Sequence, residues 1–237
     1  MPLIAPRSDV AFSECGPDSG PGMLLVHGIG VSGRYFAPLI HELSRSHRVV
    51  TPDLPGFGRS SRPRPALTIT EQAMALETAL GLPGRTDLVL VGHSMGSQVV
   101  TELAVRNPGL VRGLVLIGPV AQDRSAVLQA GRLLRDLPRE PFRINALVLR
   151  DYVRGGIRSF AGTLPKMLKY PLAERLSAVT APVVLIRGAN DPIADLAFLR
   201  TLAAAAAGAT RIVEIPDTAH VTMAVRPDLI AARCREL

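Results

Sequence analysis

The segment GHSMG at positions 92–96 has the residue types of a nucleophile turn. An apolar run precedes it and a stretch with helical periodicity follows it. A serine at the apex of a tight strand-to-helix turn has strained backbone angles, and the residues two positions away must be small so that strand and helix can pass closely. Gly92 and Gly96 meet that requirement. The sequence therefore predicts Ser94 as a nucleophile, with the N-terminal N–H groups of the following helix directed at whatever group reacts there.

A nucleophilic serine needs a histidine base and a carboxylate that orients the base. Asp191 follows the buried strand expected at 182–187, and His220 follows the strand expected at 210–215. Both would lie at the carboxyl edge of an open α/β sheet, where sites form. Asp195 is a second candidate acid, but it precedes a predicted helix and fits an N-cap better. The preferred chain order is Ser94, Asp191, His220.

The other four histidines have simpler interpretations. His41 and His47 flank a predicted surface helix and are expected to be solvated. His27 and His93 belong to turns that contain glycine, where a buried imidazole serves as a hydrogen-bonding group. Only His220 has the chain order and the setting of a catalytic base.

Acyl transfer also requires two donors for the oxyanion, each of which lowers the barrier by about 2.7–4 kcal/mol. The HGIG turn at 27–30 follows a short apolar strand and can direct a backbone N–H toward the space above Ser94. We assign the two donors to the N–H groups of Ile29 and Met95. Asp53 begins the turn-rich DLPGFGRS segment and is interpreted as a residue that hydrogen-bonds its own loop.

Five ordered motifs resemble the α/β-hydrolase superfamily, most closely its small bacterial esterase, lactonase and C–C hydrolase branch. They are HGIG at 27–30, DLPGFGRS at 53–60, GHSMG at 92–96, GANDPI at 188–193 and DTAHVTM at 217–223. The resemblance implies a nucleophile at Ser94, an acid at Asp191, a base at His220 and an oxyanion hole at Ile29 and Met95. The stretch before the HGIG strand is short, so residues 10–14 are expected to form the antiparallel edge strand in place of the family's first strand.

The fold expected is a single α/β domain with a mostly parallel central sheet of about seven to eight strands flanked by helices. Residues 1–118 and 179–237 would form the core, and residues 119–178 a helical cap inserted after the sixth family strand. Strands are predicted at 10–14, 23–27, 48–52, 87–92, 112–118, 182–187 and 210–215. Helices are predicted at 36–46, 70–80, 95–106, 195–207 and 224–235, with three more in the cap at 124–137, 143–154 and 157–170.

The cap would cover the serine, so its apolar faces are expected to supply part of the substrate pocket. The candidate substrate-binding residues are Leu134, Leu137, Phe160, Leu164 and Met167. The cap segment also carries eleven basic and five acidic residues, which is +6 of the chain's net charge of +7. Such a field can steer an anionic substrate or an acyl carrier. The alternative is a solvated, Arg-rich helix face, which the chain's general use of Arg favours.

Composition excludes several functional classes. Aromatic residues are 4% of the chain and no recognition motif accompanies the charge, so nucleic acid is not an expected partner. The sequence has no apolar run of the ~18 residues that a membrane span needs and no signal-peptide pattern. Cys15 and Cys234 have no metal-binding or redox spacing, which is typical of a cytoplasmic protein. Neither a cofactor nor a metal is expected.

These observations predict a serine hydrolase that cleaves a small or medium, largely apolar carboxylic ester through an acyl-enzyme. Two alternatives stay open at this point. One is a thioesterase or cyclase of a biosynthetic pathway that acts on an acyl thioester. The other is a ligand-binding or non-hydrolytic protein that retains the triad, because a fold and a triad do not by themselves fix a function.

Overall fold

Seven strands form one sheet in the computed structural model, which describes residues 10–17, 22–82, 86–121, 146, 150 and 157–237. The spatial order is β1-β3-β2-β4-β5-β6-β7, and every neighbouring pair is parallel except β1 with β3. The strands are β1 Phe12–Cys15, β2 Gly22–Val26, β3 Arg48–Pro52, β4 Leu88–His93, β5 Val111–Ile117, β6 Val183–Gly188 and β7 Thr210–Ile215. The predicted fold class is confirmed.

Helices follow most of the strands and cover the two faces of the sheet. They are α1 Ala37–Leu43, α2 Ile69–Leu80, α3 Met95–Arg106, α4 Ile157–Lys169, α5 Leu172–Leu176, α6 Leu196–Ala205, α7 Thr222–Val225 and α8 Pro227–Arg235, with short 3-10 helices at Gly33–Phe36 and Pro108–Leu110. No helix within the described ranges is long and apolar enough to cross a membrane.

Strand β1 pairs antiparallel with β3, with Phe12 opposite Pro52. The expected antiparallel edge strand is therefore present, shifted by one or two residues from the predicted 10–14. It is short and its four side chains are exposed, as is common for a strand that has a neighbour on only one side.

Two predicted helices differ from the structure in their bounds. The helix predicted at 224–235 is α7 followed by α8, because Arg226 precedes Pro227 and has the non-helical angles φ −126° and ψ 61°. A residue before proline is sterically disfavoured in the helical region. The helix predicted at 36–46 is the 3-10 turn Gly33–Phe36 followed by the shorter α1.

The core consists of two apolar clusters, one on each face of the sheet. Alternate residues of β2 point to opposite faces, so that Leu24 and Val26 belong to one cluster and Met23 and Leu25 to the other. All four are at most 2% exposed. Burial on both faces explains why the central strands read as continuous apolar runs rather than as alternating ones.

The segment between β5 and β6 is joined to helix α3 by polar contacts within the described residues. The amide of Gln98 donates to the backbone oxygen of Met167 in α4 at 3.1 Å. The buried carboxylate of Glu102 accepts from the hydroxyl of Tyr170 at 2.8 Å and from Nε and Nη2 of Arg175 at 2.9 and 3.0 Å. These bonds satisfy a carboxylate that would otherwise be costly to bury, and they fix α4 and α5 against the core. The predicted helices at 124–137 and 143–154 lie outside the described residues, apart from the single positions 146 and 150.

Candidate active site

Ser94 occupies the turn between β4 and α3, with backbone angles φ 54° and ψ −118°. These angles are unusual for a residue with a side chain, and such strain clusters at functional positions. The flanking glycines are required by close approach. A Cβ on Gly92 would lie 2.4 Å from the carbonyl oxygen of Gly96, and a Cβ on Gly96 would lie 2.0 Å from that of Val26. The turn therefore has the geometry of a nucleophile elbow.

Backbone donors lie on two sides of Ser94. Met95 is the first residue of α3, a position whose N–H has no acceptor within the helix. On the other side, a Cβ built on Gly28 would be only 3.1 Å from the Cβ of Ser94, so the HGIG turn passes directly beside the serine. Ile29 is the next residue of that turn. The structure thus brings the segments of both candidate oxyanion donors next to the candidate nucleophile.

Asp191 and His220 are in hydrogen-bond contact at the carboxyl edge of the sheet. Nδ1 of His220 lies 2.8 Å from Oδ2 of Asp191, and both side chains are buried. An ionised carboxylate only accepts, so Nδ1 carries the proton and the lone pair that can act as a base is on Nε2. Oδ1 of Asp191 accepts from the N–H groups of Ile193 and Ala194 at 2.7 and 3.0 Å.

These contacts fix the charge state of Asp191. Burial acts to raise the pKa of its carboxyl, but attraction to His220, the hydrogen bond from His220 and the bonds from the backbone of Ala194 and Ile193 together hold the pKa below its ordinary value. The carboxylate is therefore ionised at neutral pH and can orient the imidazole. Its stabilising contribution is present above the ordinary range of an aspartate and is lost only as the pH falls through the lowered pKa.

The imidazole of His220 lies over Gly118, at the end of β5. A Cβ on Gly118 would be 2.9 Å from both Cε1 and Nδ1 of His220 and 3.4 Å from Oδ2 of Asp191. His220 comes from the loop after the edge strand β7, so its ring reaches back across the sheet toward β4. Only a residue without a side chain leaves room for it.

Tyr35 and His93 connect the loops that carry the candidate residues. His93 is buried between the hydroxyl of Tyr35, which contacts its Nδ1, and the backbone oxygen of His220, which lies 3.0 Å from its Nε2. The same Tyr35 oxygen is 3.3 Å from the N–H of Gly28. Burial, followed by repulsion from His220, lowers the pKa of His93 well below its ordinary value, so this ring is neutral at neutral pH. The network joins the HGIG turn, the Ser94 turn and the His220 loop.

The role of Tyr35 was not expected from the sequence. It stands in the apolar stretch GRYFAPL after the HGIG turn and belongs to no motif, so no sequence signal pointed to it. His93 was expected to be a structural hydrogen-bonding residue, and its geometry agrees. His27 agrees as well, since its Nε2 accepts from the N–H of Leu54 at 2.8 Å. His41 is exposed and His47 is partly exposed.

The two remaining aspartates have structural positions. Asp195 is exposed and caps helix α6, where its Oδ1 accepts from the N–H of Phe198 at 2.7 Å. Asp53 is buried and accepts from the N–H groups of Gly33 and Arg59 at 2.8 and 3.0 Å. The expectation that Asp53 hydrogen-bonds its own loop is correct for Arg59, and the bond from Gly33 adds a second segment.

The candidate substrate-binding residues divide into two groups. Leu134 and Leu137 lie outside the described residues. Phe160, Leu164 and Met167 are on α4, where Leu164 and Met167 are buried and Phe160 is partly buried. All three belong to or pack against the apolar cluster that contains Met95 and contacts Ile29. A packing role therefore accompanies any contact that these side chains make with a substrate.

Two features together define the α/β-hydrolase class of fold. They are a mostly parallel sheet with an antiparallel edge strand, and a strained serine in the turn after the central strand. The family model described as the alpha/beta hydrolase family matches residues 23–233. This match covers most of the chain, and the protein belongs to the alpha/beta hydrolase family.

The individual relatives do not share one function. The chain is 38% identical over 212 residues to the magnesium-chelatase 30 kDa subunit of Rhodobacter capsulatus, with 75% of this chain and 73% of that protein covered. It is 28% identical over 222 residues to an uncharacterized protein of Mycobacterium tuberculosis, with 90% of this chain covered. The match covers 61% of that longer relative.

Among solved structures, a thermophilic esterase from Thermogutta terrifontis superimposes with a TM-score of 0.80 and 25% identity. The superposition covers 96% of this chain and 92% of the esterase. The enol-lactonase of Burkholderia xenovorans LB400 has the same fold, with a TM-score of 0.81, 22% identity and coverage of 96% and 95%.

Gly118→Ala is expected to lower kcat by displacing His220. The matched control is Gly81→Ala at the end of α2, because Gly118 and Gly81 have nearly equal φ of +54° and +57° while a Cβ on Gly81 meets nothing within 4 Å. An alanine at such a left-handed angle costs about 1–2 kcal/mol in either place. Thermal unfolding and ester turnover should therefore separate the variants, with lower stability in both and a large activity loss only in Gly118→Ala. Full activity in Gly118→Ala would contradict the placement of His220 over this glycine.

Proposed function

We propose that the protein is a serine carboxylesterase that forms an acyl-enzyme on Ser94. The proposal rests chiefly on the hydrogen-bonded pair Asp191 and His220 at the same sheet edge as the strained Ser94 turn. In this mechanism, Nε2 of His220 takes the hydroxyl proton of Ser94 as the serine oxygen attacks the ester carbonyl. The N–H groups of Ile29 and Met95 hold the oxyanion.

Three further proton transfers complete the cycle. The imidazolium of His220 gives its proton to the leaving alcohol, and Asp191 stabilises the positive ring while it exists. Water then attacks the acyl-enzyme with His220 again as the base, and His220 returns that proton to the oxygen of Ser94 as the acid product leaves. The apolar cluster around Met95 and Ile29 supports a largely apolar acyl group as the preferred substrate.

The direct test is covalent labelling with a fluorophosphonate, followed by turnover of 4-nitrophenyl esters of increasing acyl length. We expect one label per chain, located on Ser94 by peptide mass, and measurable turnover of at least one ester. Absence of both labelling and turnover in the folded protein would reject the esterase. Comparing an oxyester with a thioester of the same acyl group separates the esterase from the thioesterase alternative.

A second candidate is a role as a subunit of magnesium chelatase. It is favoured by one observation, the 38% identity to the Rhodobacter capsulatus subunit of that name. This candidate is tested by producing the protein in R. capsulatus cells that lack their 30 kDa subunit and measuring magnesium-chelatase activity. Restoration by the wild type and equally by Ser94→Ala would favour a binding role, whereas restoration that needs Ser94 would join the two proposals.

The basic segment at 119–178 is proposed to steer an anionic substrate or acyl carrier toward the site. Charge reversal to Glu should then lower kcat/KM for a phosphate-bearing thioester, and the loss should shrink near 1 M salt, where the screening length is about 3 Å. The positions to reverse are Arg132, Arg135, Arg139, Arg150, Arg154 and Arg158. A neutral ester with the same acyl group is the control. Equal losses for both substrates would favour the solvated-face alternative.

A further inference from the structure

Arg187 is a buried arginine near the end of strand β6, close in sequence to the candidate acid Asp191. It is 9% exposed. Because alternate residues of a strand point to the same face of the sheet, Arg187 shares a face with Val183 and Leu185, which belong to the apolar core. An arginine is almost never fully buried unless it is paired. The guanidinium of Arg187 therefore requires hydrogen-bond partners inside the protein.

Most of these partners are carbonyl oxygens of the loop that carries Asp191. Nε of Arg187 donates to the carbonyl oxygen of Ala194 at 2.8 Å. Nη2 donates to the carbonyl oxygens of Ala189 and Asp191, each at 3.2 Å. The loop lies between β6 and α6, outside any helix or strand, so the hydrogen bonds of its carbonyl groups come from elsewhere in the fold. One side chain thus spans the loop from Ala189 to Ala194.

The same loop is bonded to the segment that carries the candidate base. The N–H of Ala189 donates to the carbonyl oxygen of Ile215, the last residue of β7, at 2.9 Å. The N–H of Asn190 donates to the carbonyl oxygen of Thr218 at 2.9 Å. Thr218 is two residues before His220. The acid and the base are therefore carried by segments that are fixed to each other, with the guanidinium on the side of the acid.

Ala194 connects the guanidinium to the carboxylate of Asp191. The carbonyl oxygen of Ala194 accepts from Arg187, and its N–H donates to Oδ1 of Asp191 at 3.0 Å. Oδ2 of the same carboxylate faces Nδ1 of His220. A displacement of Ala194 therefore changes the orientation of the carboxylate, and with it the contact between Oδ2 and the imidazole.

Arg187 also contacts Glu214, its cross-strand neighbour on β7, through Nη1. This ion pair does not by itself account for a buried arginine. The side chain of Glu214 is 45% exposed, and exposed ion pairs contribute little to stability. The bonds to Ala194 and Asp191 are buried, and loss of a buried bond leaves an unsatisfied polar group. The contacts with the loop are therefore the larger contribution.

We propose that Arg187 is a positioning residue that holds Asp191 with Oδ2 directed at His220. This role rests on the proposed function, in which Asp191 orients the base of an esterase. A guanidinium is planar and presents its donors in a fixed fork, so it can hold several acceptors in set positions. A lysine ammonium is a compact charge on a flexible stem and does not provide that geometry. Arg187 acts through Asp191 and takes no chemical step itself.

The first test is the kinetics of Arg187→Met, which removes every donor and keeps an unbranched stem. We expect kcat for the best 4-nitrophenyl ester to fall about 10–100-fold with little change in KM, because a misplacement of about 1 Å can cost about 10²-fold. Wild-type kcat in Arg187→Met would overturn the proposal.

Arg106→Met is the matched control. Arg106 is at the end of α3 opposite to Ser94, and its Nε and Nη2 donate to the carboxylate of Glu77 at 2.8 and 3.0 Å. Its replacement also removes a paired, partly buried arginine, so thermal stability should fall while kcat stays at the wild-type value. An equal loss of kcat in both arginine variants would show a general effect of lost stability and would overturn the proposal.

The double variant Arg187→Met/Asp191→Asn tests whether Arg187 acts through Asp191. Residues that act as a unit have non-additive effects, so the Arg187 substitution should lower kcat by less than about 2-fold once Asp191 is asparagine. The same fold loss in both backgrounds would show that Arg187 acts on another group, which would overturn the proposal.

A second readout does not require turnover. The ring-nitrogen NMR shifts of labelled histidine, assigned by their loss in His220→Gln, report which nitrogen carries the proton. The wild type and Arg106→Met should have the proton on Nδ1, whereas Arg187→Met and Asp191→Asn should have part of it on Nε2. An unchanged tautomer in Arg187→Met would overturn the positioning role. If the wild type neither turns over esters nor reacts with the fluorophosphonate, the esterase fails, and the tautomer still tests the position of Asp191.

Arg187→Lys serves if Arg187→Met does not fold. It keeps the positive charge and removes the planar fork. We expect a smaller loss of kcat than in the methionine variant, again absent in the Asp191→Asn background, together with a partial shift of the His220 proton to Nε2. Wild-type kcat and a wild-type tautomer in Arg187→Lys would overturn the proposal.

Discussion

Ser94→Ala is expected to lower ester turnover by about 10³–10⁶-fold while the protein remains folded. The reason is chemical, since alanine removes only the attacking oxygen. The measurement is kcat for the best 4-nitrophenyl ester, accompanied by fluorophosphonate labelling, which should disappear. Undiminished hydrolysis by this variant would show that another group is the nucleophile.

The strained backbone of Ser94 supplies a second variant for the same position. Ser94→Ala retains a Cβ at φ 54°, whereas Ser94→Gly removes it and releases the strain. We expect both variants to be inactive and the glycine variant to be about 1 kcal/mol more stable than the alanine variant in urea unfolding. Loss of activity together with unequal stability would separate the chemical role of the hydroxyl from the structural cost of the turn.

Asp191→Asn is expected to lower turnover by roughly 10²–10⁴-fold, because an amide in that position favours the wrong tautomer of His220. The Nδ1 of His220 now faces Oδ2 of Asp191 at 2.8 Å, and the amide group would replace a charged acceptor by a neutral group that can donate. The measurement is kcat at a pH at which the wild type is fully active.

Asp195→Asn is the control for this experiment. Asp195 caps α6 through the N–H of Phe198, and asparagine caps helices about as well as aspartate does, so the stability cost should be about 1 kcal/mol or less. Turnover should be close to that of the wild type. The reverse ranking of the two variants would make Asp195 the catalytic acid.

Local sequence patterns predicted the elements with accuracy wherever one short segment contained the whole signal. Strand β3, helix α3 and strand β7 have the predicted bounds of 48–52, 95–106 and 210–215. In these cases an apolar run or a helical period is followed at once by a turn-forming residue, namely Asp53, Asn107 or Pro216, and no distant contact is needed to end the element. The nucleophile turn is equally local, since the close approach of Gly92 to Gly96 spans five residues.

The helix predicted at 224–235 is interrupted by a proline that the local sequence already contains. Pro227 lies inside the predicted helix, and its steric effect on Arg226 separates α7 from α8. The helical period on both sides of the break is real. A helix interruption of this kind is determined by the local sequence, although the helical periodicity alone does not reveal it.

Contacts between distant residues were decided by the tertiary structure. The bond between Nε2 of His93 and the oxygen of His220 joins residues 127 positions apart, and no pattern along the chain encodes it. The same holds for the space above Gly118 at the end of β5, because the ring that fills it belongs to His220, which follows β7 about a hundred residues later in the chain. The sequence by itself determined the family, the strand-turn-helix unit at Ser94 and the candidate partners Asp191 and His220. Only packing of the sheet decided that His220 contacts Asp191 rather than Asp195, because side-chain contacts depend on how the strands are ordered in space and not on their order in the chain.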